Sequence, residues 1–173
     1  MEKLLEQISA YEILNNLLPG TLFCVLLKWH TGFQPESNNA VAEIFIFYFV
    51  GLVVGRFGSL VIEPLYKKLK IIKTADYTSF IIASAKDSKI DTLSTKNNMY
   101  RTFVAVFFLY AIFLAAEWLV IKCPVLQPWL TGLGVILILL LFSFSYRKQT
   151  DYIRNRISIH TKDDEKEKVG VGK

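Results

Sequence analysis

Apolar positions fall into long blocks separated by short polar breaks. The block that organises the chain lies within Ala40–Lys73, AVAEIFIFYFVGLVVGRFGSLVIEPLYKKLKIIK. A helix needs about 20 mostly apolar residues to cross a bilayer, and Val41–Ile62 supplies that length. Further blocks predict crossings at Leu17–Trp29, Thr102–Ile121 and Trp129–Tyr146. The first is short at about 1.5 Å per residue, so it must start before Pro19, tilt little or use Lys28 and Trp29 as interface anchors. Ahead of it, Leu4, Leu5, Ile8, Tyr11 and Leu14 recur at helical spacing, with Glu2, Lys3, Glu6 and Gln7 on other faces. That pattern predicts an amphipathic helix over 1–16, either lying on the headgroups or acting as a mobile plug. Asn15, Asn16, Pro19 and Gly20 suggest a bend between this helix and the first crossing.

The polar breaks complete the plan. Thr31–Asn39 reads as a loop. Glu63-Pro64 marks a helix boundary, because the residue before a proline avoids the helical region. Segment 65–101 is hydrophilic, with a short helix expected at Tyr77–Ala85 and a helix cap at Asp91 or Thr92. Lys122, Cys123, Pro124 and Pro128 form a turn flanked by Trp118 and Trp129. The tail 147–173 is polar, and its mixed-charge end from His160 is expected to be disordered. The reading is an all-α, polytopic membrane protein with about four transmembrane helices in 17–146, an N-terminal amphipathic helix and a short cytoplasmic helical segment.

Composition agrees: 53% of residues are hydrophobic, above the usual share for a soluble domain. Three glutamates and one lysine in the first twelve residues lack the basic start of a signal peptide. The net charge of +5 is modest, but its placement is informative. Segment 65–101 and the tail after Tyr146 each hold eight Lys or Arg, whereas the opposite loops have little beyond Lys28 and Lys122. The positive-inside rule therefore places both termini and the large loop in the cytoplasm. Two cysteines, Cys24 and Cys123, imply no disulfide framework, and His30 and His160 lack the cysteine partners of a zinc site.

Arg56 is the charge set deepest in an apolar run, and such residues are functional by default. It has three readings: lining a water-filled path, pairing with Glu63 two turns away, or snorkelling to the headgroups. Gly51, Gly55, Gly58 and Ser59 form a smooth strip where another backbone can approach. Glu43 and Glu117 sit at the other interface as rim residues. Lys67, Lys68, Lys70 and Lys73 attract anionic lipid or hold an anionic ligand, with Lys86 and Lys89 as further contacts. Tyr66, Tyr77, Phe80 and Tyr100 offer stacking faces for bases. No HExxH, GxSxG, CxxC, Walker A or dinucleotide glycine fingerprint is present, so no enzyme, metal or cofactor is expected.

YEILNNLLPG at 11–20, GLVVGRFGSLVIEPLYKK at 51–68 and the four-crossing plan together resemble the transmembrane effectors of Hailong-type antiphage defence systems. The resemblance implies a homo-oligomeric, ion-conducting effector in a bacterial inner membrane. Short deoxyadenylate oligomers made by a partner nucleotidyltransferase would hold it closed, and their loss would open it and depolarise the cell. The N-terminal helix would then look like a gate and the basic surface like a ligand site; Leu4, Leu5, Ile8, Arg56 and Glu63 are the gate or pore candidates. The other class of reading is a non-conducting anchor or sensor that recruits a cytoplasmic partner through 65–101 and the tail.

Overall fold

The computed structural model describes residues 2–31 and 39–170, with side chains described for 13–31, 39–159 and 161. Every regular element among these residues is helical: α1 (Glu2–Thr31), α2 (Ala40–Phe57), a π-turn (Gly58–Ile62), α3 (Glu63–Lys68), α4 (Tyr77–Lys86), α5 (Lys89–Lys122), a 3₁₀ turn (Pro124–Leu126) and α6 (Gln127–Gly170). Three helical stretches among the described residues are long and apolar enough to cross a membrane: Ala40–Lys68, Lys89–Lys122 and Pro124–Ile159.

The crossing expected at Leu17–Trp29 is not among them, and the bend expected at Pro19 and Gly20 does not interrupt α1. The helix keeps its course because its polar and small residues face a partner. A Cβ at Gly20 would fall onto the Phe47 carbonyl of α2, and one at Gly51 would fall onto the Asn16 carbonyl of α1. The two helices thus meet backbone to backbone, the arrangement that small residues permit. Pro19 is fully buried at the same contact. Leu4, Leu5 and Ile8 lie in the N-terminal part of α1, and their side chains fall outside those described. So does most of the Thr31–Asn39 loop, although Asn39 caps α2 by accepting from the Val41 N–H at 2.9 Å.

The Glu63-Pro64 boundary also differs from expectation. Pro64 has no N–H and would clash with the carbonyl four residues before it in a regular helix. The chain instead widens into the π-turn, whose last bond runs from the Glu63 N–H to the Gly58 carbonyl, and helix resumes as α3. π-bulges insert a residue into the helical register. α3 ends with two crossed bonds, Ile71 N–H to the Tyr66 carbonyl at 2.9 Å and Lys70 N–H to the Lys67 carbonyl at 3.1 Å. This Schellman geometry requires a left-handed residue, usually glycine, and Lys70 fills it with φ 59°.

Asp76 caps α4 by accepting from the Thr78 and Ser79 N–H groups. α5 starts earlier than the expected cap at Asp91 or Thr92, because Asp87 accepts from the Lys89 N–H at 2.9 Å. α6 continues to Gly170, into the mixed-charge end expected to be disordered from His160. Acidic residues precede basic ones at helical spacing there, as in Asp164 and Lys168, which favours helix. Val54, Ile62, Ala105 and Val106 form the buried core where α2, the π-turn and α5 meet, with Leu22, Phe23 and Leu26 of α1 against it. α6 stands apart, with none of its apolar window buried.

Candidate functional site: a shared carboxylate at one end of the bundle

The chain reverses between α2 and α5 and again between α5 and α6. The far ends of three apolar stretches therefore come together, and each brings a charge. Glu63 follows the π-turn, Arg101 lies where α5 enters its apolar run, and Lys148 lies where α6 leaves its own. Glu63 Oε2 accepts from Arg101 Nη1 at 2.6 Å, and Oε1 accepts from Lys67 Nζ at 2.8 Å. Lys148 Nζ is 3.8 Å from the same carboxylate and donates to the Ser59 hydroxyl at 2.7 Å and to its carbonyl at 3.0 Å. The Glu63 side chain is only 15% exposed, against 23% for Arg101 and 28% for Lys148.

Among the described residues, one carboxylate thus serves three cations. The cluster keeps a surplus of positive charge after its internal pairing, and Arg101 Nε is buried with no hydrogen-bond partner. Removing one partner from such a partly buried set leaves the rest poorly solvated and mutually repelling. The cluster is therefore both a clasp joining α3, α5 and α6 and a place where an added anion finds uncompensated charge.

Arg56 lies within electrostatic range of Lys148 but stays outside the paired set. It is exposed, and no ion pair among the described residues includes it. In an unbroken α-helix, seven residues would bring Arg56 and Glu63 to one face. The π-turn between them shifts that register, so Glu63 turns toward Arg101 instead.

The small strip lines the contacts around this joint. Gly51 meets α1, Gly55 lies beside Asn16 and Thr102, and Gly58 lies against Ala105 and the Arg101 backbone. Ser59 receives the Lys148 ammonium. Of the basic candidates, only Lys67 enters the cluster. Lys68, Lys70 and Lys73 are exposed on and after α3, while Lys86 and Lys89 are exposed around the α4–α5 corner. Tyr77 stacks on Tyr152 of α6, with ring centroids 5.2 Å apart and planes 9° apart, and its hydroxyl donates to the Tyr152 carbonyl. Lys148 lies 5.7 Å from the Tyr152 ring centroid, so α4 is tied into the same corner. At the opposite end of the bundle, His30 of α1 is 2.9 Å from Glu117 of α5 and meets Tyr110 edge-on. Among the described residues no group of His, Cys, Asp and Glu is placed to hold a metal ion.

Sequence reasoning counted Arg101 and Lys148 only as charges in a loop and a tail, did not single out Tyr152, and took Gly20 for a bend. A signal for the first two existed. Successive antiparallel helices of such length put Glu63, Arg101 and Lys148 at one end of the bundle, where a lone acid among bases invites pairing. Comparison with known proteins adds no relative: no family model matches the chain, and no curated protein or solved structure is significantly similar to it.

Proposed function

We propose that the chain is a subunit of a homo-oligomeric membrane channel whose conducting state is controlled by an anionic signal at the Glu63 cluster. The observation that carries this reading is one carboxylate shared by Lys67, Arg101 and Lys148, three cations on three elements. A multiply charged anion on the surplus charge, extended by Lys68, Lys70 and Lys73, favours the arrangement in which these elements stay together. Its removal restores the repulsion among them and favours separation. A ligand shifts such an equilibrium only by its differential affinity for the two states, and the closely gathered state offers the denser positive field.

Four passes follow if α1 crosses with α2. Asn16 in the middle of α1 need not meet lipid, because it lies against Gly51 and Gly55 of α2. Four passes put the basic segments on one side, the cytoplasmic side of a bacterial inner membrane, with both termini there. The exposed apolar flank of α6 supports assembly with other copies, since rings of identical chains are the common closed arrangement. The resemblance to Hailong-type effectors supplies the setting, antiphage defence, and the first ligand to try, short oligodeoxyadenylate from a partner nucleotidyltransferase.

The test is ion flux from liposomes containing the purified protein, with oligodeoxyadenylate titrated on the face carrying the cluster. The reading expects flux that the oligonucleotide suppresses and that high salt makes insensitive to it. No flux in either condition would favour a non-conducting anchor, a reading supported by the exposed face of α4 and the long α6 extension.

A further inference from the structure

Beside the cluster, α2, α5 and α6 enclose a groove of about 820 Å³. Its floor comes from Val53, Phe57 and Leu60, and its walls from Ile112 of α5 and Leu137 and Leu141 of α6. The lining is apolar along the spans and turns polar only at one end, at Arg147, Lys148, Asp151, Tyr152 and Asn155. That end lies level with Glu63, where the apolar stretch of α6 gives way to its charged extension. The groove exists because α6 leans on α2 and the π-turn rather than on α5. Phe49 and Phe142 stack at 6.1 Å on one side, and Lys148 is anchored to Ser59 at the other.

We propose that this groove is a binding site for an anionic diacyl phospholipid, with acyl chains along the apolar floor and the phosphate at Arg147 and Lys148. Basic pockets between membrane helices at the positively charged side are suited to such headgroups. Charge decides between a lipid and a second copy of this chain. Asp151 faces its own Arg154 at 3.9 Å, and Glu63 is already shared among three cations. Arg147 is exposed and enters no ion pair among the described residues. A second copy on the flank of α6 marked by Val135, Ile136 and Leu139 need not enter the groove, and one seated inside it would leave Arg147 without a counter-charge, whereas a phosphodiester supplies one. The site stands whether or not the protein conducts ions.

The experiment is native mass spectrometry of the full-length protein in mild detergent, with phosphatidylglycerol and phosphatidylcholine added in equal amounts. The expected result is preferential retention of phosphatidylglycerol. Arg147→Gln lowers that preference about fivefold, the effect of one basic residue near the surface. Leu141→Trp fills the groove without changing charge and lowers retention of both lipids. Equal retention of the two lipids by the wild-type protein overturns the proposal. So does an undiminished phosphatidylglycerol preference in Arg147→Gln together with undiminished lipid retention in Leu141→Trp. A Leu141→Trp protein that keeps its lipid but loses oligomer mass would instead make the groove a contact between copies.

Discussion

The α1–α2 pair and helix α6 are opposite solutions to the same apolar composition. α1 and α2 touch through Gly20 and Gly51 with no room for a Cβ at either position. α6 carries Gly132 and Gly134 with open space around both, and its apolar residues Val135, Ile136, Leu139 and Leu140 are exposed. Glycine therefore has two meanings in this chain. In α2 it is a contact that one chain completes by itself. In α6 it lies on an exposed face that no other described element covers. The charged corner mediates between these regions, holding the loosely packed helix to the tightly packed pair through Lys148.

The largest expected effect breaks the tight side. Gly51→Leu forces the α1 and α2 backbones apart and is expected to destabilise the bundle by about 3 kcal/mol or more, seen as a lower thermal midpoint in detergent and loss of a sharp size-exclusion peak. A variant that melts like wild type would mean that α1 does not pack as described. Next comes the corner. Glu63→Gln keeps the shape but leaves Lys67, Arg101 and Lys148 without their anion, at a cost of about 2 kcal/mol given its partial exposure. Lys148→Met, which removes the cation as well, should restore part of the loss in the double variant, and full additivity would deny the coupling.

Tyr152→Ala removes the stack on Tyr77 and is expected to cost about 1 kcal/mol. Its informative readout is faster protease cleavage around α4, because the anchor between α4 and α6 is gone. The smallest effect belongs to the open side. Gly134→Ala meets no atom and removes a flexible residue from a helix, so it should stabilise the isolated chain by about 0.5 kcal/mol. If it instead weakens the oligomer, that glycine face of α6 is where copies meet.

The all-helical fold and the helices long and apolar enough to cross a membrane were legible because they depend on apolar blocks of sufficient length, and those at 41–62, 102–121 and 129–146 lie inside the three long apolar helical stretches. Tyr77–Ala85 was legible for a similar local reason, an apolar run behind the capping Asp76. What local patterns could not show was which residues face each other. Pro19-Gly20 and Glu63-Pro64 carry breaker chemistry, but a closely packed neighbour keeps α1 continuous and a π-turn absorbs Pro64. Of the three readings of Arg56, pairing with Glu63 rested on regular helical spacing, and the π-turn between them breaks that spacing. Arg101 and Lys148 are separated from Glu63 by 38 and 85 positions, and only the antiparallel packing of the long helices brings them together. The chain beyond Tyr146 looked like a solvated tail because its composition is polar, yet helix α6 propagates into it to Gly170.

The measurement that tests the central claim most directly is ion flux through liposomes carrying equal amounts of inserted wild-type or Glu63→Gln protein, without added ligand. The account predicts a higher leak for Glu63→Gln, because the three cations repel once their shared carboxylate is neutral and the joint at that end of the bundle loosens. Equal flux from two fully inserted, helical proteins would contradict the assignment of the Glu63 cluster as the element that controls conduction.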